Sequence, residues 1–295
     1  MGPHGTRRDV RHDGRTLAVH DTGSGDALTL VWHHGSPQTG ALLEPLVRAT
    51  ARRGIRLVSY GRPSYGGSSP RPGRDVASAA GDVAAVVDAL GIGRFAVLGH
   101  SGGGPHALAC AAVLGDRVTG VAALASPAPF DGEDWFAGMA DDAALRAATR
   151  GREARARHGL TAEFDPGVFV PADWGTLAGT WAAMDEDVAL AAAAGPDGLV
   201  DDDVTLVLPW GVELEDVAAP ALVVHGGLDR MIPVAHAHRL AARLPQVELW
   251  LRPRDGHVSV LDAVPVALDW LLDHAGGRDG GGPAPAGQVA GTGTA

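Results

Sequence analysis

One short stretch constrains the fold more than any other, an apolar run that ends in a serine set among glycines. Residues 95–105 read FAVLGHSGGGP, and alanines and leucines resume at helical spacing from Ala107. The apolar run is typical of a buried strand, and the spacing that follows predicts a helix. Gly99, Ser101 and Gly103 fit the pattern G-x-S-x-G, a tight strand-to-helix turn. Glycines suit this turn because side chains beside the serine would keep strand and helix apart.

The serine at the tip of this turn is a candidate nucleophile. We expect the Ser101 hydroxyl to stand above the sheet. The N–H of Gly102, at the start of the following helix, would face an oxyanion there. The alternative is an ordinary structural turn, because glycine-rich turns are common between strands and helices.

Composition excludes several classes of function. The chain has 295 residues and a formal net charge of −11, which argues against a nucleic-acid partner because such binding needs a clustered basic face. All 24 basic residues are Arg, so lysine Schiff-base chemistry is excluded. The chain has one cysteine, no secretory signal pattern and no apolar run of membrane-spanning length. We therefore expect a cytoplasmic protein with no membrane partner, and a homo-oligomer remains open.

Strand-like and helix-like segments alternate along most of the chain, which predicts an α/β fold with a mostly parallel central sheet flanked by helices. The alternation is interrupted by a helical, alanine-rich segment. We predict a core formed by residues 1–128 and 216–275 and a helical cap inserted at 129–215. The tail, 276–295, is rich in Gly, Ala and Pro and is predicted to be disordered.

The predicted cap carries four of the seven tryptophans, Trp135, Trp174, Trp181 and Trp210. An insertion at this point of the chain would lie over the carboxyl ends of the strands, where open α/β sheets bind ligands. We expect these tryptophans, together with His34 and Tyr65, to line a pocket for a small, apolar substrate. The alternative is that the aromatic residues are packed core.

A serine hydroxyl is a weak nucleophile at neutral pH and needs an adjacent base. His257 follows the last predicted strand, on the sheet edge where Ser101 is expected, and is the predicted base. His225 ends another strand on that edge and is its competitor. Asp229, a short glycine turn after His225, is the predicted acid that orients the imidazole. Asp255, two residues before His257, is the alternative acid.

A second oxyanion donor is expected from the loop HHGSP at residues 33–37. Gly35 permits a sharp bend in this loop, and Pro37 restricts its backbone. We predict that the N–H of Ser36 donates to the oxyanion beside that of Gly102.

Taken together, these residues resemble the α/β-hydrolase superfamily, in its capped, actinobacterial form with a Ser-Asp-His triad. The likeness covers roughly residues 10–274, and its motifs lie at 34–37, 65–68, 99–103, 228–229 and 256–257. The resemblance implies a nucleophile at Ser101, an acid at Asp229 and a base at His257, with an oxyanion hole from Ser36 and Gly102. It also implies a serine hydrolase that cleaves a carboxylic ester of a small molecule through an acyl-enzyme, without metal or organic cofactor.

The superfamily offers alternative functions that use the same residues. One is a proline-iminopeptidase-like aminopeptidase, in which cap carboxylates hold the amino end of the substrate; the candidates are Glu133, Glu153, Glu163 and Glu186. A cofactor-free haloperoxidase or perhydrolase would use the same triad. A lyase or small-molecule receptor of this fold would keep the residues without hydrolysing its ligand. Epoxide hydrolases and haloalkane dehalogenases use an aspartate nucleophile, and this chain has Ser101 at that position.

Overall fold

The structure is a computed structural model that describes residues 5–275, so the predicted disordered tail lies outside the described residues. One eight-stranded sheet forms its centre. The strands are β1 (Thr6–His12), β2 (Arg15–Asp21), β3 (Leu28–His33), β4 (Ile55–Tyr60), β5 (Phe95–His100), β6 (Val118–Leu124), β7 (Ala221–Gly226) and β8 (Val247–Arg252). Their order in the sheet is β1-β2-β4-β3-β5-β6-β7-β8. Strand β2 is antiparallel to β1 and β4, and the other neighbours are parallel, which confirms the predicted mostly parallel sheet.

Helices flank this sheet on both faces. The α-helices of the described residues are α1 (Glu44–Ala51), α2 (Ser78–Ala89), α3 (Gly103–Leu114), α4 (Ala143–Ala148), α5 (Arg152–Gly159), α6 (Pro171–Ala178), α7 (Ala182–Ala193), α8 (Asp197–Leu206), α9 (Ala235–Arg243) and α10 (Val264–Ala275). Helices α2, α3 and α9 pack on one face, and α1 and α10 pack on the other. None of the helices within residues 5–275 is long and apolar enough to span a membrane.

Strand β5 shows why the apolar run before the serine is continuous. Successive side chains on a strand point to opposite faces, so a strand covered on both faces is apolar at every position. Phe95 and Val97 lie in the core cluster beneath α2 and α3. Ala96 and Leu98 lie in the cluster beneath α1 and α10. The strand is therefore held from both sides, and it delivers Ser101 to a fixed place at its carboxyl end.

Helices α4 to α8 lie between β6 and β7, inside the segment predicted to be the cap. Buried aspartates on three of these helices contact loops at the carboxyl edge of the sheet. Asp173 of α6 contacts the loop after β8, Asp187 of α7 contacts Thr39, and Asp202 of α8 contacts the loop after β4. We use the name cap for residues 129–215, whose boundaries as a separate unit stay a prediction.

Candidate active site

Ser101 lies between β5 and α3, and its backbone has a φ of 53°, in the left-handed region. An L-residue in this region is strained, so the surrounding structure must hold it there. A Cβ on Gly99 would lie 2.4 Å from the Gly103 carbonyl oxygen, and one on Gly103 would lie 2.1 Å from that of His33. Side chains at both positions are thus excluded by backbone, and the turn closes tightly around the serine.

The structure brings three distant side chains into one hydrogen-bonded chain. His257 Nε2 lies 2.9 Å from Ser101 Oγ, and His257 Nδ1 lies 2.8 Å from Asp229 Oδ2. A carboxylate only accepts hydrogen bonds, so Nδ1 carries the proton and Nε2 presents its lone pair to the serine hydroxyl. His257 and Asp229 are buried, and Ser101 is half-buried. This arrangement leaves the serine oxygen accessible while its partners are shielded from water.

The two other candidates, His225 and Asp255, lie elsewhere. His225 Nε2 donates to the carbonyl of Ile232 at 2.7 Å and comes within 3.5 Å of Asp229 Oδ2, the oxygen that also accepts from His257. Asp255 accepts a hydrogen bond from the Arg252 side chain. The structure therefore places His257 and Asp229, and neither alternative, in line with Ser101.

His257 and Asp229 shift each other's pKa in opposite directions. Burial lowers the pKa of His257, but the charge of Asp229 and its hydrogen bond outweigh burial, and the pKa lies above the ordinary histidine value. Burial raises the pKa of Asp229, but the charge of His257 and hydrogen bonds from His225 and His257 outweigh it, and that pKa lies below the ordinary aspartate value. These opposite directions would stabilise an imidazolium at His257 if it took a proton from Ser101.

The two residues predicted to form an oxyanion hole, Ser36 and Gly102, are neighbours in the structure. A Cβ on Gly102 would lie 2.6 Å from Ser36 Oγ and 3.8 Å from Ser36 N, so the two residues are in close contact. Gly102 immediately precedes α3, where backbone N–H groups and the helix dipole favour negative charge. Ser36 and Gly102 are therefore close enough for their N–H groups to serve one oxyanion beside Ser101, and this role stays a prediction.

A buried ion network that sequence reasoning missed supports this loop. Arg62, which follows β4, donates to the carbonyl oxygens of His34 and Gly35 and, at 2.9 Å, to Ser36 Oγ. Its guanidinium pairs with Asp202 at 2.6 Å, and Asp202 also pairs with Arg74 and accepts from Ser36 Oγ. The network links the cap to the proposed oxyanion loop.

A local signal for Asp202 exists, but the acidic run at 201–203 obscured it. Residues four apart share one face of a helix. Gly198 therefore lies on the face of Asp202, and a Cβ on Gly198 would lie 2.6 Å from the Tyr65 ring. A glycine followed by an aspartate at this spacing marks the face of α8 that meets the core.

The predicted pocket residues have varied surroundings, and their role stays a prediction. Both ring nitrogens of His34 form hydrogen bonds to backbone: Nδ1 donates to Gly35 O at 2.7 Å, and Nε2 accepts from Arg62 N at 3.1 Å. Tyr65 is buried, and its hydroxyl donates to Asp202 at 3.1 Å. Trp174 is 42% exposed, whereas the other three tryptophans are packed in hydrophobic clusters: Trp135, Trp181 and Trp210.

The cap glutamates considered for an aminopeptidase are at the surface. All four are exposed: Glu133, Glu153, Glu163 and Glu186. Exposed carboxylates on helices are ordinarily solvated, so they provide no built site for a substrate's amino group.

Comparison with known proteins agrees with this fold. A family model described as the alpha/beta hydrolase fold matches residues 29–264. A 2-hydroxy-6-oxononadienedioate/2-hydroxy-6-oxononatrienedioate hydrolase from Cupriavidus pinatubonensis is 29% identical over 277 residues, covering 86% of this chain and 89% of its own. A non-heme chloroperoxidase from Burkholderia pyrrocinia is 27% identical over 249 residues, covering 77% and 83%. A thermophilic esterase from Thermogutta terrifontis superposes with a TM-score of 0.70 at 21% identity, covering 92% of this chain and 100% of its own.

Proposed function

The chain belongs to the α/β-hydrolase family, and we propose that this enzyme cleaves a carboxylic ester of a small, apolar substrate through an acyl-enzyme on Ser101. Ser101 is the nucleophile, His257 the base and Asp229 the acid that orients it. The backbone N–H groups of Ser36 and Gly102 form the oxyanion hole.

The observation that carries this proposal is the continuous hydrogen-bonded chain from hydroxyl to imidazole to carboxylate, at 2.9 and 2.8 Å. A buried histidine with an aspartate on one nitrogen and a serine hydroxyl on the other has the geometry needed for nucleophilic catalysis. An intact and aligned set of these three residues is most simply explained by its use in catalysis, and this favours an enzyme over a receptor.

In the first half of the reaction, His257 Nε2 takes the proton of Ser101 Oγ as this oxygen attacks the ester carbonyl carbon. The carbonyl oxygen becomes an oxyanion, which accepts hydrogen bonds from the N–H groups of Ser36 and Gly102. When the tetrahedral intermediate collapses, the bond to the alcohol oxygen breaks. His257 returns its proton to that oxygen, and the acyl group stays on Ser101.

In the second half, water replaces the alcohol. His257 takes a proton from water, and the resulting oxygen nucleophile attacks the acyl carbon. Collapse breaks the bond to Ser101 Oγ, which regains its proton from His257 Nε2, and the carboxylic acid leaves. Each step uses the same two donors for the oxyanion and the same orientation of the imidazole by Asp229.

The test is turnover of p-nitrophenyl esters of graded acyl length, together with labelling by a fluorophosphonate probe. We expect a burst of p-nitrophenol and labelling at Ser101 in the wild type. Ser101→Ala should lose roughly 10³- to 10⁶-fold in kcat with its fold intact. Ser64→Ala is the matched control, because Ser64 also has a left-handed backbone, with a φ of 73°. Unlabelled wild-type protein, or equal turnover by Ser101→Ala, would contradict the proposal.

Perhydrolysis is a second candidate, favoured by the similarity to the chloroperoxidase. Hydrogen peroxide would then attack the acyl-enzyme in place of water and release a peracid. The same panel, repeated with acetate and hydrogen peroxide, distinguishes the two by detecting peracid. A further assay with 2-hydroxy-6-oxononadienedioate tests the reaction for which the similar hydrolase from Cupriavidus pinatubonensis is named.

A further inference from the structure

Asp173 is a fully buried carboxylate that the cap supplies to the loop carrying His257. Its relative exposure is 0%, and it lies on α6, which no motif in the sequence connects to the triad. Moving a carboxylate out of water is costly unless hydrogen-bond donors replace its hydration. The hydrogen-bond donors that replace the hydration of Asp173 show which part of the chain this side chain holds in place.

Both oxygens of Asp173 accept hydrogen bonds from residues 257–259. Oδ2 accepts from His257 N at 3.3 Å, and from Val170 N of its own segment at 3.1 Å. Oδ1 accepts from Val258 N at 2.8 Å, from Ser259 N at 2.7 Å and from Ser259 Oγ at 2.8 Å. Three consecutive peptide N–H groups therefore point at one carboxylate, an arrangement that fixes their relative orientation.

The backbone of His257 is held from its other side as well. Its carbonyl accepts from His100 Nε2 at 3.0 Å, so the N–H and the C=O of the residue are both engaged. A Cβ on Gly256 would lie 2.2 Å from Asp173 Oδ2, which shows how closely the carboxylate lies against the loop. The backbone that carries the imidazole is therefore held at both of its polar groups, the N–H and the C=O of His257.

We propose that Asp173 is a positioning residue, through which the cap holds residues 257–259 so that His257 Nε2 faces Ser101 Oγ. The inference rests on the proposed function, because it takes His257 as the base. Asp173 acts through the backbone of His257 and by its charge, without touching the substrate.

The charge of Asp173 provides a signature that packing alone would not. The titratable groups facing His257 are Asp229 after β7, Asp173 from α6 and His100 at the end of β5; His225 lies beyond Asp229. Burial keeps His100 neutral, with a pKa of about 3. The negative charges of Asp229 and then Asp173 raise the pKa of His257. Because the base acts in its neutral form, removing the charge of Asp173 shifts the acidic limb of the pH–rate profile to lower pH.

The experiment compares kcat, KM and the pH profile for p-nitrophenyl acetate in the wild type and three variants. Asp173→Asn keeps the shape but loses the charge and turns an amide N–H₂ towards backbone donors. It should lower kcat about 10- to 100-fold at unchanged KM, with the acidic limb at lower pH. Ser259→Ala removes one donor and keeps the charge, so kcat should fall severalfold with the limb in place. Asp187→Asn is the matched control: it alters another buried cap carboxylate, which binds Thr39, and should leave the limb unmoved.

Wild-type kcat and an unmoved limb in Asp173→Asn would overturn the inference. If that variant does not fold, Ser259→Ala decides, since wild-type kcat in it would overturn the inference and a severalfold loss would support it. The His257 imidazole is also titrated by NMR, its signals identified from a His257→Ala sample. A lowered pKa in Asp173→Asn supports the role of Asp173 even without turnover, whereas failure of the proposed function appears separately, as wild-type protein that forms no acyl-enzyme.

Discussion

The two carboxylate oxygens of Asp229 have different partners, one the backbone and the other His257. Oδ1 accepts from the N–H groups of Met231 and Ile232, at 2.9 and 2.8 Å, and Oδ2 accepts from His257 Nδ1. The turn that follows β7 therefore holds the carboxylate before any substrate arrives. Catalytic groups held in this way need no reorganisation during the reaction.

Replacing this acid tests its assignment directly. Asp229→Asn presents an amide where Nδ1 needs an acceptor, so the imidazole loses both its orientation and the charge that raises its pKa. We expect kcat to fall by about 10⁴, with the acidic limb of the pH profile displaced to lower pH. Asp255→Asn is the matched control, because Asp255 binds Arg252 instead, and it should retain near-wild-type turnover. The reverse outcome would make Asp255 the acid.

Local pattern and position along the chain led to Ser101, His257 and Asp229, because each follows a predicted strand at one edge of the sheet. Asp173 could not be found in this way. Its partner His257 lies 84 positions away, and the contact depends on how α6 packs. Aspartate on an alanine-rich helix is ordinarily a solvated residue, so neither composition nor spacing distinguishes a buried one.

At the scale of single elements, the turn from β5 to α3 shows how packing overrides helix propensity. Gly104 lies in the first turn of α3, where alanine would favour the helix by about 1 kcal/mol. However, a Cβ there would lie 2.2 Å from Ser126 Oγ and 2.4 Å from Ser126 Cβ. A short side chain attached to packed backbone has little room to move, so the steric cost should outweigh the gain.

We therefore expect Gly104→Ala to lower the free energy of unfolding by about 1–3 kcal/mol, the usual cost of overpacking. Gly93→Ala is the matched control, because a Cβ at Gly93 meets nothing within 4 Å. It should be neutral or stabilising by up to about 1 kcal/mol. Denaturant unfolding monitored by circular dichroism measures both. Equal effects of the two substitutions would show that the turn from β5 to α3 tolerates a side chain at Gly104.

Element boundaries were predictable where a local apolar pattern determined them. Strand β6 begins and ends where its apolar run predicts, at Val118–Leu124. The spacing also predicts helices over 40–53 and 258–274, but these begin later, at Glu44 and Val264. A Cβ on Gly40 would lie 2.5 Å from Gly61 N, so close backbone approach delays α1. The contact of Gly40 comes from a distant segment, which local sequence does not show, whereas residues 259–263 before α10 are helical but form a tighter 3₁₀ helix.

At the scale of the whole molecule, cap and core share a buried ionic network. Asp202 of the cap is fully buried and pairs with Arg62 and Arg74, two buried guanidiniums of the core. Burial raises the pKa of Asp202, but the two arginines outweigh it, and the pKa lies well below the ordinary aspartate value. A carboxyl whose pKa is depressed in the folded state stabilises the protein above its ordinary pKa. This stabilisation is lost as the pH falls towards the depressed value.

Breaking this network should therefore affect cap and core together. Asp202→Asn leaves two buried cations short of a counter-charge, for which the expected loss is about 3–5 kcal/mol in the free energy of unfolding at neutral pH. Part of the acid-induced loss of stability expected in the wild type should be missing in this variant, because the group that titrates is gone. Glu44→Gln is the control, since Glu44 forms an exposed pair with Arg48 on α1 and should cost at most about 0.5 kcal/mol. Hydrogen exchange with mass spectrometry then locates the weakening. If Asp202 joins cap and core, hydrogen exchange in Asp202→Asn rises both in α8 and in the loop at residues 34–36. A rise confined to α8 would mean that the cap is held independently of the proposed oxyanion loop.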